Sequence, residues 1–445
     1  MIRPESFAAH TLSNHPHGAS VRRILAAAMQ AVEPGEAVLR FIQREGNSLF
    51  IDQREYPLDK IGRIRVLGLG KASPAMTQPV ADLLPLHATR GLLIPKVTPV
   101  QLPDGFDLQP GGHPVPDGNS LLAGEKAFAL ASDLREDDLL LCLISGGGSA
   151  LMTLPHAGIS LDDLRALTSS LLACGARVDE INTLRRHLDR LKGGGLARLA
   201  FPARVVSLIL SDVVGNPLEA IASGITVPDP STREDALGVL EKYNLLGKVP
   251  PAIVDCLEMI PETPKPGESC FERAQNVIVG SNALAAESAW RQARSEGFHP
   301  VMLGDDWQGE AREVAERLCR QLKTSTTPRP FCLIAGGETT VTLRGRGRGG
   351  RNQELALAAV RELAGVSDLM LIALATDGED GPTDAAGAVA TGETLQRGLK
   401  LGHSPESFLE DNDSYSYFSA LNDLLKPGPT GTNVNDLMFC FGLTN

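Results

Sequence analysis

No stretch of this 445-residue sequence approaches the roughly 18 consecutive apolar residues that a membrane-spanning helix needs. A signal-peptide core is also lacking near the start, because charged and amide residues flank the short apolar run 24–29. The seven cysteines include no Cys-x-x-Cys pair, and Cys142, Cys332 and Cys440 lie in apolar runs. This usage predicts buried free thiols in a reducing compartment. We therefore expect a soluble, cytoplasmic protein.

Positive charge is also in short supply, because 42 basic residues are set against 54 acidic residues and the net charge is −12. This balance argues against nucleic acid or an anionic membrane as a partner. A protein of this charge that binds a small anion must gather positive charge locally. Residues 342–351 do so, because they contain no acidic residue and four arginines: Arg344, Arg346, Arg348 and Arg351.

The length of 445 residues predicts at least two domains, because one hydrophobic core rarely serves so long a chain. Short apolar runs alternate with helical patterns, which indicates the α/β class with mostly parallel sheets flanked by helices. The proline-rich segment 249–268 is the best linker candidate. We expect an N-terminal Rossmann-like domain over residues 1–260, a C-terminal α/β domain over residues 261–445, and an active-site cleft between them.

The segment 139–150, with the sequence LLLCLISGGGSA, organises the predicted N-terminal domain. Its unbroken apolar run is typical of a strand that is buried on both faces. The glycines that follow allow backbone N–H groups to turn toward a bound anion. We therefore expect nucleotide phosphates to bind this loop, which contains Ser145, Gly146, Gly147, Gly148 and Ser149.

The run FCLIAGGETT at residues 331–340 predicts a second strand that breaks into a glycine loop, with Gly337 and Glu338 as candidate cofactor-binding residues. Two other buried strands end on Asp212 and Asp377. Because ligands bind at the carboxyl ends of parallel strands, these ends suggest a phosphate site that faces a carboxylate site. Turn formation is the commoner role for any single aspartate. Both aspartates are nevertheless candidate metal ligands.

The glycine-spaced residues Asp377, Asp380 and Asp384 together suit Mg²⁺, which takes few carboxylates and adds phosphate oxygens. A calcium loop is excluded, because Ala388 stands where such a loop requires glutamate. Magnesium is therefore the expected metal.

Basic residues outside the arginine segment offer several further candidates. Lys71 directly follows a buried strand in GLGKAS, whose glycine spacing fits neither a Walker loop nor a Rossmann loop. A lysine there can neutralise a transferring phosphoryl group, although a surface lysine at a helix start is the alternative. His113 is equally compatible with an acid–base group and with a loop hydrogen-bond donor. Lys192 is a candidate cofactor-binding residue, but it shares a helical pattern with Arg185, Arg186 and acidic residues, which favours a solvated face for most of these side chains.

Residues 345–350 match Gly-x-Gly-x-x-Gly, the fingerprint of dinucleotide binding. The short, half-polar strand before them and the arginines at the variable positions argue against that function. The arginines up to Arg348 are expected to lie in a mobile segment and to contribute a diffuse positive field. Arg351 lies where this segment enters a predicted helix, so its backbone is fixed and its guanidinium can point at one group.

The chain from about residue 20 to the end carries a long, specific and ordered set of motifs: GLGKAS, GGHPVPD, LISGGGSAL, NTLRRHLDRLKGGGLA, LSDVVGNPLEAIASG, VPDPST, AGGETTVTLRGRGRGGRNQE, ATDGEDGPTDAAGA and GPTGTNVND. This set resembles the glycerate 2-kinase family, whose C-terminal half is known as the MOFRL domain.

The resemblance implies ATP-dependent, Mg²⁺-assisted phosphorylation of D-glycerate at its 2-hydroxyl, giving 2-phosphoglycerate and ADP. It also implies that Lys71 and Arg351 are the catalytic pair and that the partners are a small-molecule substrate and a nucleotide. A homo-oligomer is compatible with the sequence, which does not specify the oligomeric state. Some members carry the name hydroxypyruvate reductase, so an NAD(P)H-dependent reductase is the alternative function. One departure is Ile225, which stands where the family usually has proline.

Overall fold

The computed structural model describes residues 2–85 and 89–444, and helices alternate with strands along most of this length. The helices are α1 (His10–Asn14), α2 (Gly18–Gln30), α3 (Pro34–Leu39), α4 (Ser73–Leu83), α5 (Gly118–Ala131), α6 (Gly148–Leu151), α7 (Leu161–Ala173), α8 (Val178–His187), α9 (Gly195–Ala200), α10 (Arg233–Lys242), α11 (Pro251–Met259), α12 (Ser269–Glu272), α13 (Asn282–Ser295), α14 (Ala311–Thr324), α15 (Arg351–Leu363), α16 (Thr394–Lys400), α17 (Pro405–Glu410) and α18 (Ser414–Leu421). The strands are β1 (Ile42–Glu45), β2 (Ser48–Ile51), β3 (Arg54–Pro57), β4 (Ile64–Leu69), β5 (Thr89–Ile94), β6 (Phe106–Leu108), β7 (Leu139–Ile144), β8 (Arg204–Leu210), β9 (Ala274–Gly280), β10 (His299–Met302), β11 (Trp307–Glu310), β12 (Phe331–Thr340), β13 (Leu369–Ala375), β14 (Gly387–Thr391), β15 (Leu424–Leu425) and β16 (Asp436–Gly442). No helix formed by the described residues is long and apolar enough to cross a membrane.

Two compact units divide the chain, and their limits differ from the predicted boundary between residues 260 and 261. The first unit comprises Ala37–Val279, and the second comprises Met1–Glu36 with Gly280–Asn445. The boundary falls later than predicted because β9 forms the edge strand of the first unit's sheet. The N-terminal helices belong to the second unit because α2 packs against α13, where Ser288 Oγ donates to the Ala27 carbonyl oxygen over 3.0 Å.

The sheet of the first unit confirms the predicted α/β class with a parallel sheet. Its strand order is β6-β5-β4-β7-β8-β9, and the pairs β5–β6, β4–β5, β4–β7 and β7–β8 are parallel. All residues of the central strand β7 are buried, as its apolar run predicts. Leu69 on β4 is level with Ile144 on β7, which is level with Ile209 on β8. The segments that follow these three strands therefore start side by side.

Helices cover the first unit's sheet and also form an apolar group of their own. Leucines of β4 and β7 pack with alanines of α5 and α9 in one buried cluster. A second cluster joins the apolar sides of α7, α8, α10 and α11. Burial of these amphipathic faces is what holds the short helices in place.

The sheet of the second unit is mixed, so the expectation of mostly parallel sheets is wrong for this half. Its order is β10-β12-β16-β13-β14-β15, with β11 also beside β12. Strands β10 and β11 are parallel to β12, whereas β16 is antiparallel to both β12 and β13, and β14 is antiparallel to β13. Parallel pairing needs a crossover, usually a helix, and segment 376–386 between β13 and β14 contains none.

Candidate functional site

The loop after β7 is built as the sequence predicts, by a buried strand that turns sharply into glycines. The Ser145 N–H donates to the Leu69 carbonyl oxygen over 2.9 Å. The Ser145 hydroxyl oxygen accepts from the Ala72 N–H over 3.0 Å, so this buried side chain joins the loops after β4 and β7. Gly147 then takes a φ of 86°, in the left-handed region that glycine enters without strain.

The backbone N–H groups of residues 146–149 meet no hydrogen-bond acceptor within residues 2–85 and 89–444. Ser149 Oγ lies 2.8 Å from Ser223 Oγ, which ties the end of the loop to the segment after β8. Buried or half-buried amide groups normally have partners. A row of consecutive N–H groups without them suits an anion with several oxygens.

Lys71 and His113 border this loop. The Lys71 N–H donates to the Gly146 carbonyl oxygen over 2.9 Å. A Cβ atom added to Gly147 would lie 3.3 Å from His113 Nε2 and 3.4 Å from Lys71 Cε, so both side chains pass over Gly147. Burial, together with the charges of Lys71 and Lys96, lowers the pKa of His113. The imidazole is therefore neutral at pH 7 and can accept a proton.

Asp212 follows β8 and reaches the same loop. A Cβ atom added to Gly146 would lie only 2.0 Å from Asp212 Oδ2, so the half-buried carboxylate rests against the glycine Cα. A carboxylate beside a phosphate-binding loop is the arrangement in which Mg²⁺ is held, by one or two carboxylates and by phosphate oxygens. Asp212 could therefore supply one carboxylate ligand to this ion.

Lys192, a predicted cofactor-binding residue, is buried rather than on a solvated face. Its Nζ lies 2.6 Å from Asp189 Oδ2 and 3.3 Å from Thr153 Oγ1. Burial lowers the pKa of Lys192, and Asp189 opposes this effect. Sequence reasoning missed Asp189 and Thr153, because the aspartate sits in a helical pattern that looked solvated.

In the second unit, Arg351 begins α15 and forms ion pairs with two carboxylates. Its Nε and Nη2 lie 2.6 and 3.1 Å from the two oxygens of Asp436, and its Nη1 lies 2.7 Å from Glu338 Oε1. Burial raises the pKa of Asp436 to about 6, although Arg351 opposes this shift. Sequence reasoning missed Asp436, whose polar segment NVND gave no hint that β16 enters the sheet between β12 and β13.

The predicted glycine loop at Gly337 and Glu338 is wrong, because β12 continues through both residues to Thr340. Gly337 pairs with Asp436 on one side and Trp307 on the other. A Cβ atom at Gly337 would lie 2.0 Å from the Trp307 carbonyl oxygen. The glycine is needed for close strand packing, and Glu338 serves the Arg351 ion pair.

The three glycine-spaced aspartates do not converge on one metal site. No group of three or more His, Cys, Asp or Glu side chains in the described part of the chain is arranged to hold a metal ion. Asp380 accepts from the N–H groups of Asn352 and Gln353 at the start of α15, whereas Asp384 contacts Tyr415 and Lys426.

Asp377 stands apart from the aspartates that flank it in sequence. It is half-buried after β13, and burial raises its pKa. Its Oδ1 accepts from the Glu379 N–H over 3.2 Å. Asp377 stays a predicted metal ligand.

The arginine loop is not the mobile segment that its glycines predict, because its backbone is tied to residues 411–413. The N–H groups of Arg344 and Gly345 donate to Asn412 Oδ1, and those of Arg346 and Arg348 donate to Asp411 and Asp413.

The glycines of the same loop have a packing role. A Cβ atom at Gly345 or Gly347 would lie within 2.5 Å of Asp411 or Asp413 atoms, and one at Gly350 would lie 2.3 Å from Asp380. The Gly-x-Gly-x-x-Gly match at residues 345–350 is thus explained by contacts inside the unit, without a dinucleotide.

Comparison with known proteins identifies the family. Residues 20–258 match a domain of unknown function, DUF4147, and residues 331–436 match the MOFRL family. D-glycerate 2-kinase from Thermotoga maritima is 40% identical over 86% of this chain and 91% of its own length. A crystal structure of glycerate kinase from Thermotoga maritima aligns with a TM-score of 0.86 and 37% identity, covering 95% of this chain and 99% of that one. The chain belongs to the glycerate kinase family.

The reductase name also occurs among the relatives. A putative hydroxypyruvate reductase from Agrobacterium vitis is 39% identical over 94% of this chain and 92% of its own length. The fingerprint glycines of residues 345–350 are explained by contacts with residues 411–413 and Asp380. The only dinucleotide fingerprint of the sequence therefore gives the reductase name no support.

Ile225, the departure from the usual family proline, lies in a firmly packed segment. Ala222, Ser223 and Gly224 have φ values of 48°, 55° and 63°, a left-handed run that is strained at the two non-glycine residues. Ile225 is buried in the main cluster of the first unit, and its carbonyl oxygen accepts from the Ala197 N–H over 3.3 Å. Core packing at Ile225 therefore helps to hold Ser223 beside Ser149.

Proposed function

We propose that this chain, as an ATP-dependent glycerate kinase, transfers the γ-phosphoryl group of ATP to the 2-hydroxyl of D-glycerate and releases ADP. The observation that carries this proposal is the row of free N–H groups at residues 146–149, bordered by Lys71, His113 and Asp212. Phosphoryl transfer depends on positioning and on neutralising charge rather than on covalent chemistry. Loop amides and a lysine supply both requirements.

Each side chain has a distinct part in this transfer. The N–H groups of the loop hold phosphate oxygens of the donor, and the Lys71 ammonium offsets the charge of the transferring group. Arg351 offers a planar, always charged guanidinium that Asp436 and Glu338 hold in one orientation. A donor that is fixed in this way loses little conformational entropy when negative charge develops on the transferring phosphoryl group.

Asp212, with Asp377 as a second candidate, would hold Mg²⁺. When bound, the ion supplies charge neutralisation at the phosphate oxygens. A chelator in excess should therefore abolish turnover of this acidic protein.

His113 is the proposed acceptor of the proton from the 2-hydroxyl. Its ring lies over Gly147, and its Nδ1 is buried without a hydrogen-bond partner in the described structure. The proton passes from the hydroxyl to the unprotonated ring nitrogen as the oxygen bonds to phosphorus and ADP leaves. This assigns the acid–base role that the sequence left open.

The test is a pair of assays on the same preparation. With D-glycerate, ATP and Mg²⁺, we expect ADP to form and ³¹P spectroscopy to identify 2-phosphoglycerate. With hydroxypyruvate and NADH, we expect no oxidation of NADH. NADH oxidation without ADP formation in the first assay would overturn the kinase assignment in favour of a reductase.

A further inference from the structure

A cavity between α7 and α8 reaches the glycine loop of the first unit. Its volume is about 330 Å³, which lies at the lower end of the range for small-molecule pockets, about 300–1,000 Å³. Ser149 and Ala150, from the end of the loop and α6, line it. Thr153 and Lys192 line the same cavity.

The walls of this α7–α8 cavity are mostly apolar. Leu164, Leu167 and Leu171 contribute from α7, Leu184 contributes from α8, and Leu188 directly follows that helix. Glycerate is a three-carbon acid that is polar at every carbon, so such walls do not match it. A flat, weakly polar ring that must leave water does match them.

A cation in the cavity lacks an anionic partner. The half-buried Arg185 makes one long hydrogen bond, from Nη1 to Asn182 Oδ1 over 3.4 Å, and no carboxylate of the described residues lies within ion-pair distance of it. Burial lowers the pKa of Arg185, and Lys192, which lies nearby, already has Asp189. A guanidinium in partly buried surroundings is stable only when an anion compensates it.

We propose that the α7–α8 cavity binds the nucleobase and sugar of the phosphoryl donor, with Arg185 against the phosphate that follows the sugar. This assignment rests on the proposed kinase function and extends it to a base-binding subsite. The ligand class is an adenine nucleotide, because one molecule then joins an apolar ring in the cavity, a phosphate at Arg185 and a phosphate chain at residues 146–149.

Filling the cavity tests the base subsite. Leu164→Trp places a large ring in the cavity, while Leu246→Trp, at an exposed leucine after α10, is the matched control. By calorimetric titration with Mg²⁺ present, we expect Leu164→Trp to weaken ADP binding by at least about tenfold, equivalent to about 1.4 kcal/mol. Binding of inorganic tripolyphosphate, which has no base, should change little, and Leu246→Trp should match wild type for both probes.

Arg185→Met separates a binding role from a structural one. Because Arg185 has no carboxylate partner, its loss should leave the unfolding temperature equal or higher, while ADP binding weakens by about tenfold or more. A lower unfolding temperature with unchanged ADP binding would overturn the proposal, because Arg185 would then be structural.

The outcomes distinguish this subsite from the kinase function itself. If wild type forms ADP from ATP and glycerate but Leu164→Trp binds ADP normally, the subsite is wrong and the kinase stands. If Leu164→Trp raises the KM for glycerate and leaves ADP binding intact, the cavity serves the acceptor, which also overturns the proposal. If wild type neither binds ADP nor turns over, the proposed kinase function is wrong, and the base subsite that rests on it is wrong as well.

Discussion

The two glycine-rich loops differ in whether their backbone N–H groups have hydrogen-bond partners within the described chain. In the loop after β7, the N–H groups of residues 146–149 meet no acceptor within the described chain. In the arginine loop, N–H groups from residue 344 to residue 348 donate to residues 411–413. Glycine leaves N–H groups available to a ligand in the first loop and allows close contact with a neighbouring backbone in the second. Glycine content alone does not separate these roles, but the fully buried strand before the first loop does.

The largest expected effect concerns His113, which borders the first loop and has no counterpart in the arginine loop. His113→Gln keeps a polar side chain but cannot accept the proton, so kcat should fall by about 10²- to 10⁴-fold. The lowered pKa of His113 means that wild-type activity falls only at pH values below its ordinary value of 6.5, as the ring becomes protonated.

This acid limb of the kcat/KM profile should disappear in His113→Gln. His299→Gln, at an exposed histidine on β10, is the control and should keep both the rate and the profile. An unchanged acid limb in His113→Gln would show that another group takes the proton.

The second prediction concerns Arg351, which directly follows the arginine loop and begins α15. Arg351→Lys keeps the charge but loses the paired contacts of Nε and Nη2 with Asp436. We expect kcat to fall by about 10²- to 10³-fold with little change in the KM for ATP. Arg346→Lys, at an exposed position of the same loop, should stay near wild type. If the two variants have the same kcat, Arg351 contributes only to the diffuse positive field, as Arg346 does.

The sequence predicts the arrangement of the loops after β4 and β7 well because that arrangement is local. A buried strand, the glycines after it and Lys71 after the neighbouring strand suffice, since parallel strands end at one edge. The pairing of Arg351 with Asp436 spans 85 residues and depends on where β16 enters the sheet, which no local pattern specifies. The prediction of a loop at Gly337 is wrong because a glycine after an apolar run fits both a turn and a close strand contact.

Substitution of one glycine by alanine in each loop tests the roles of the two loops directly. Gly146→Ala pushes the Asp212 carboxylate, the movable end of a side chain, so unfolding should change little while kcat falls by about 10²-fold. Gly347→Ala meets the Asp411 carbonyl oxygen at 2.5 Å, so the backbone must shift and stability should fall by about 1–3 kcal/mol. The remaining folded Gly347→Ala protein should keep its kcat. Comparable losses of kcat in both variants would make the arginine loop a second phosphate loop.

The smallest expected effect is a pH dependence of stability at Asp380, which holds the start of α15 beside the arginine loop. Burial raises the pKa of Asp380 to about 7, while an aspartate in an unfolded chain titrates near about 3.9. Between these values the folded state binds a proton that the unfolded state does not. The contribution of Asp380 to stability is therefore greatest at the acidic end and is lost as the pH rises toward about 7.

Asp380→Asn cannot titrate, so its free energy of unfolding in urea should decline less than that of wild type between about pH 5 and about pH 7.5. The control is Asp384→Asn, because Tyr415 and Lys426 lower the pKa of Asp384, whose contribution is lost only as the pH falls. That variant should keep the wild-type decline. If Asp380→Asn keeps it too, the carboxylate at the start of α15 stays ionised throughout, and its hydrogen bonds with Asn352 and Gln353 outweigh its burial.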